Sequence, residues 1–118
     1  MPHQINDLLV RLSQAWNDGD ATAYAELFTH DADYITFFGL HMEGRAAIEE
    51  SHRQLFDGPM KGTTMRGDGE PKIRHLSDDT ALVISEGGLN PSVVTFTAVR
   101  QGDGWLFSSF QNTRKAQP

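Results

Sequence analysis

Apolar residues near the start of the chain recur with the period of a helix. Ile5, Leu8, Leu9, Leu12, Ala15 and Trp16 follow the i, i+3, i+4, i+7 spacing that lays one stripe along a helical face. Gly19 can end that helix in a left-handed conformation, and Asp20 can cap a short second helix with Tyr24, Leu27 and Phe28 on one face. A third helix is predicted from near Gly44, with Ile48, His52, Leu55 and Phe56 on its apolar side. "DGP" at 57–59 stops it, because Pro59 disfavours helix at Gly58.

The period then changes. Residues 33–38 are predicted as a strand that turns back through Gly39 toward His41–Glu43. "SDDTALVISEGG", "PSVVTFTAVRQGDG" and "WLFSSFQNT" are β-branched or aromatic runs cut by Gly, Asp and Pro, with "GDG" at 102–104 as a hairpin turn. "TTMRGDGEPKIRHLS" reads either as one bent strand bulged at Gly67–Gly69 or as two strands with a turn there. The predicted order is α-α-β-β-α followed by three or four long strands, an α+β fold in a single domain over 1–118.

Strict alternation assigns the faces of the late strands. Val94, Phe96 and Ala98 point one way, in line with Arg100, and Val93, Thr95, Thr97 and Val99 the other. Trp105, Phe107, Ser109 and Gln111 alternate with Leu106, Ser108, Phe110 and Asn112. Residues 34–38 and these runs carry large side chains on both faces, which an antiparallel sheet with one wet side does not need. Both faces of the sheet are therefore expected to be covered. The face mixing aromatics with Thr, Ser and Gln reads either as hydroxyls bonded within the sheet or as the wall of a ligand pocket.

Composition narrows the function classes. The chain has 118 residues, a formal net charge of −6 and no cysteine, which excludes disulfides and thiolate chemistry. The ten Lys and Arg are scattered, so no basic patch offers itself to nucleic acid. No apolar run is long enough for a membrane span, and the start has neither the basic residues nor the continuous apolar stretch of a signal peptide. A cytoplasmic setting is expected.

The densest group of chemical side chains is "LFTHDADYITFFG", 27–39. His30, Asp31 and Asp33 are metal-ligating types, but no other histidine stands at a ligand spacing from them, and no metal or cofactor is expected. They fit equally a helix C-terminus, where His30 is mildly favoured, followed by a turn suited to aspartates. His52 is placed one helical turn from both Ile48 and Phe56; it is either a satisfied core histidine or a group that touches ligand and moves a proton. Trp16 has the same two readings, core residue or pocket wall.

The stretch "GDATAYAELFTHDADYITFFG", the run "EGRAAIEESHRQLFDG" and the closing "GDGWLFSSFQNT" together resemble the nuclear-transport-factor-2-like superfamily, and within it the SnoaL-like, SgcJ/EcaC-type small bacterial proteins. The resemblance runs from the first helix to Thr113. It implies a cone-shaped, curved antiparallel sheet wrapped around three helices, a pocket on the concave side, and a homodimer through the convex side. The ketosteroid isomerases of this shape use a carboxylate base and a tyrosine donor; their motif falls on Thr36 and Leu12, neither of which can play its part. The dehydratases of the superfamily use an aspartate–histidine pair, for which Asp33 and His52 are the nearest candidates. The implied function is binding of a small apolar or cyclic metabolite, polyketide-like, with proton transfer or (de)hydration as its chemistry; the alternative is a non-catalytic ligand-binding or protein-association module. Candidate ligand-binding residues are Trp16, Tyr34, Thr36, Phe56, Thr95, Thr97, Ser109 and Gln111. Val94, Phe96, Leu106 and Phe110 are expected on the convex, dimer-forming face.

Overall fold

The computed structural model describes residues 4–65, 70–86 and 91–116. Helix α1 (Gln4–Asn17) carries the apolar stripe, with Ile5, Leu8, Leu12, Ala15 and Trp16 all buried. Gly19 ends the connection at φ +64, and Asp20 accepts the Ala23 N–H at 3.0 Å to cap α2 (Ala21–Ala25). α2 is shorter than the pattern suggests. Leu27 lies beyond it, and Phe28 already opens strand β1 (Phe28–Ile35), which is where His30 and Asp31 also lie. The helix C-terminus expected at His30 is therefore a strand, in which His30, Asp31 and Asp33 are exposed while Ala32 and Tyr34 are buried.

β1 pairs antiparallel with β2 (His41–Glu43). Gly44 then turns the chain into helix α3 (Arg45–Asp57) at φ +94, a conformation that side-chain-bearing residues rarely adopt. α3 buries Ile48, His52 and Phe56 and ends at Gly58, before Pro59. Four strands follow: β3 (Lys72–Ser77), β4 (Thr80–Glu86), β5 (Ser92–Gln101) and β6 (Gly104–Arg114). Gly102 and Asp103 form the predicted turn between the last two. The Gly67–Gly69 alternatives lie outside the described residues.

The six strands make one curved, open sheet in the order β2-β1-β6-β5-β4-β3. Its one departure from the antiparallel expectation is the β1–β6 pair, which is parallel. The last strand thus lies inside the sheet, flanked by β5 and β1.

The helices cover the inner face, where Phe28, Tyr34, Val83, Phe96, Ala98, Trp105, Phe107 and Phe110 meet Leu8, Leu12, Trp16 and Ile48 in one core. This placement overturns part of the face assignment. β6 pairs Phe107 with Ala98 but Ser109 with Thr97, so Ser108 is an extra, bulged residue. The bulge shifts the alternation by one: Trp105 and Phe107 point inward, and so do Phe110 and Asn112 beyond it. Phe96 and Phe110 are accordingly core residues and Val94 packs against the core; of the four expected on the convex face, Leu106 alone pairs into the outward row, opposite Val99. Two hydroxyls serve the irregularity. Ser109 Oγ accepts the Thr97 N–H at 3.1 Å, and Ser108 Oγ donates to the Thr97 carbonyl at 3.4 Å. Among the described residues no helix is long and apolar enough to cross a membrane.

Candidate functional site

A cavity of about 430 Å³ opens between α1, α3, the β1–β2 hairpin and the far ends of β5 and β6. Its walls are mostly apolar: Trp16 from α1, Leu55 from α3, Phe37, Phe38, Leu40 and Met42 from the hairpin, Pro59, Met60 and Met65 from the following loop, and Phe110 from β6. Rings set the floor. Tyr34 lies flat on Phe110, with centroids 4.0 Å apart and planes within 2°, and Trp16 meets Phe56 edge-on at 5.0 Å. Phe37, Phe38 and Leu40 are exposed at the mouth, brought there by the tight turn from Thr36 to Leu40.

His52 lies at the back of this cavity and is only 1 % exposed. Both its nitrogens are engaged. Nδ1 is 2.7 Å from the Ile48 carbonyl, which can only accept, so Nδ1 carries the hydrogen and donates. Nε2 must then accept, and it does so from the Tyr34 hydroxyl at 3.1 Å. Tyr34 Oη in turn accepts from the Tyr24 hydroxyl at 2.8 Å. The result is a directional chain from Tyr24 through Tyr34 and His52 to the α3 backbone. Burial pushes the His52 pKa down to about 4, against the pull of the Ile48 hydrogen bond, so the ring is neutral at pH 7. Burial likewise raises both tyrosine hydroxyls above their ordinary value.

The other predicted site residues divide by face. Trp16, Tyr34 and Thr36 line the cavity, while Phe56 stands behind it against Trp16. Thr36 Oγ1 accepts the Leu40 N–H at 3.0 Å and so holds the hairpin turn. Trp16 Nε1 donates to Thr63 Oγ1 at 3.1 Å. Thr95, Thr97, Ser109 and Gln111 do not line the cavity. They pair across β5 and β6 on the outward side, Thr95 with Gln111 and Thr97 with Ser109. For Ser109 and Gln111 the physical reason is the β6 bulge, which turns Phe110 and Asn112 inward; Thr95 and Thr97 lie outward because the unbroken alternation of β5 puts Phe96 and Ala98 into the core. Asp33 is not brought to His52. It is exposed, pairs with Glu43 across the hairpin, and accepts from His41 Nε2 at 2.9 Å. Asp33, His41 and Glu43 form an exposed group whose donor atoms lie within 4.8 Å of one another, a grouping that linear spacing could not display.

Sequence reasoning missed the polar end of the cavity, made by Ser92, Asn112 and Arg114. Ser92 pairs with Arg114, and Asn112 with Val94. A signal was available in "FSSF": two core aromatics three residues apart cannot share a face in a strand of period two, and a bulge between them resolves the conflict.

A SnoaL-like domain model matches residues 2–98. The chain belongs to the SnoaL-like domain family. Solved structures of the same shape as this SnoaL-like domain include a domain of unknown function with a cystatin-like fold from Nostoc punctiforme, 30% identical, covering 96% of this chain and 76% of that one at a TM-score of 0.82. An NTF2-like protein from Novosphingobium aromaticivorans is 23% identical, with 99% and 83% coverage and a TM-score of 0.81. Aln2 from a Streptomyces species is 20% identical, with 94% and 88% coverage and a TM-score of 0.78. The last two likenesses carry the fold alone. No curated protein matches the sequence.

Proposed function

We propose that this SnoaL-like domain binds a mostly apolar, cyclic small molecule, of polyketide-like size and shape, in the cavity beside His52. The observation that carries the reading is the cavity itself. Its volume of about 430 Å³ falls in the range of small-molecule sites, and apolar walls with a few polar groups are what such sites have. Binding is favoured over acid–base chemistry because His52 is neutral and spends both nitrogens on Tyr34 and Ile48. The catalytic alternative, proton transfer or (de)hydration by His52, is supported by one observation: its ring lines the cavity. For that chemistry the Tyr34 hydroxyl has to yield Nε2 to the substrate.

The test is organic extraction of the purified protein followed by mass spectrometry. A stoichiometric cyclic metabolite, lost from a Leu55→Arg variant that fills the cavity with charge, is the expected result. An empty protein that also binds no hydrophobic fluorophore in competition with cyclic ligands would sink the proposal.

A homodimer through the outward sheet face belongs to the same proposal. Leu82, Ile84, Val93, Val99 and Leu106 are half-buried on or beside that face, and a second copy related by a two-fold axis would cover them with the same patch. Leu106→Glu is expected to loosen the pair. Light scattering that returns a clean 13.1 kDa monomer for the wild type would refute it. A cytoplasmic setting is also proposed, in keeping with a chain that has no cysteine.

A further inference from the structure

The polar groups around the cavity are nearly all spoken for by the protein itself. Tyr34 and His52 bond each other, Ser51 donates to the Ile48 carbonyl, Thr36 holds the hairpin turn, and Trp16 is held by Thr63. Two groups on β6 differ. Asn112 Oδ1 is buried and has no hydrogen-bond partner, the one such side-chain atom among the described residues. Most buried polar atoms are paired, so an amide oxygen left bare in a cavity wall has an unmet demand for a donor. Two residues on, on the same face of the strand, the Arg114 guanidinium lies 3.7 Å over the Phe37 ring at the cavity mouth. It makes no ion pair among the described residues. Stacking occupies the face of the guanidinium and leaves its N–H edge open, the edge that fits a carboxylate in a two-pronged hydrogen bond.

From this we infer that the ligand is a hydroxylated cyclic carboxylate, its ring held between the apolar walls, its hydroxyl donating to Asn112 and its carboxylate against Arg114. The inference rests on the proposed ligand-binding role of the same cavity and adds the ligand's chemical class. Charge points the same way. The chain carries a net charge of −6, so its general field repels an anion, and an arginine at the mouth supplies the local attraction that an acidic ligand needs. Ser92, paired with Arg114 on the neighbouring strand, places a hydroxyl at the same end.

The test compares four probes by titration calorimetry: 6-hydroxy-2-naphthoate, 2-naphthoate, 2-naphthol and naphthalene. In the wild type 6-hydroxy-2-naphthoate should bind tightest, by about tenfold or more over either probe that lacks one of its two groups. Its advantage over 2-naphthol should collapse in Arg114→Gln and be partly kept in Arg114→Lys. Its advantage over 2-naphthoate should collapse in Asn112→Val. Added salt should weaken both carboxylates more than 2-naphthol. If 2-naphthol or naphthalene binds the wild type as well as the hydroxy acid does, the cavity takes ring systems and the ligand class assigned here is wrong. The assignment is equally wrong if Arg114→Gln leaves the preference for the carboxylate intact. If none of the four binds, the ligand-binding reading of the cavity falls, and this inference falls with it.

Discussion

Acid should destabilise this fold through His52, and by an amount that can be worked out. The ring is buried, its pKa is depressed from 6.5 to about 4, and among the described residues no carboxylate touches it; its ring neighbours are Trp16, Tyr24, Tyr34 and Phe56. In the unfolded chain the imidazole takes up a proton near pH 6.5, whereas the folded protein resists until about pH 4. The unfolded state therefore binds more protons throughout that window, and stability is lost as pH falls through it. At about 1.4 kcal/mol per pH unit, the loss from this residue approaches roughly 3 kcal/mol by pH 4. The perturbation that isolates it is His52→Gln, which keeps a side-chain acceptor near the Tyr34 hydroxyl but cannot titrate. Urea melts followed by tryptophan fluorescence, at steps from pH 7.5 to 4, give the unfolding free energy of both proteins. Carboxylates elsewhere act equally on each, so the difference between the two curves is the readout. The wild type should lead at pH 7.5 and lose about 3 kcal/mol of that lead by pH 4. Curves that stay parallel within about 1 kcal/mol would refute the reasoning, since the folded imidazole would then accept protons as readily as the unfolded one.

Three further outcomes are expected. Trp16→Ala should cost about 3–5 kcal/mol, because the indole is buried against Tyr24, His52 and Phe56; chemical denaturation showing under about 1 kcal/mol would contradict the packing. Phe110→Glu should act on folding rather than on assembly. It removes the ring stacked on Tyr34 and buries a carboxylate, so a loss of about 4 kcal/mol or more is expected, and a variant with wild-type stability would place Phe110 outside the core. Isomerisation of 3-oxo-Δ5 steroids should stay at the buffer rate, since Thr36 cannot serve as the base and Leu12 is a buried core residue that donates nothing; turnover abolished by one cavity substitution would show otherwise.

Much of this architecture was legible in the linear pattern because helices and turns are specified locally. The α1 stripe, the Asp20 cap, the Gly58–Pro59 stop and the Gly102–Asp103 turn each depend on residues within a few positions of one another. The places of Trp16, Tyr34, Thr36 and His52 in the cavity wall are legible for the same reason: the helix period and the first strand's alternation both hold where they stand. The rest depended on a single inserted residue. Ser108 shifts every later side chain of β6 to the other face, so strict alternation puts Ser109 and Gln111 inward and hides Asn112 and Arg114; Thr95 and Thr97 follow them because they are the cross-strand partners of Gln111 and Ser109. Asp33 misled for a different reason. Its partners His41 and Glu43 are set by the β1–β2 register, which no spacing along the chain reveals.

The parallel β1–β6 pair bears on how the chain is made as well as on its shape. During synthesis β1 emerges early and can close its hairpin with β2, but its other edge stays bare until the final strand leaves the ribosome. β6 can pair with β5 through the tight Gly102–Asp103 turn, but the sheet is complete only when its other edge meets β1. Contacts this far apart along the chain, such as Phe28 with Phe107, slow folding, because a long loop has to close before they contribute anything. Until they form, the nascent protein has no floor under its cavity, because Tyr34 finds Phe110 only when the last strand docks. A protein clipped a dozen residues short would therefore lose the middle of its sheet rather than a frayed end, and would expose two unpaired edges, each a template for aggregation.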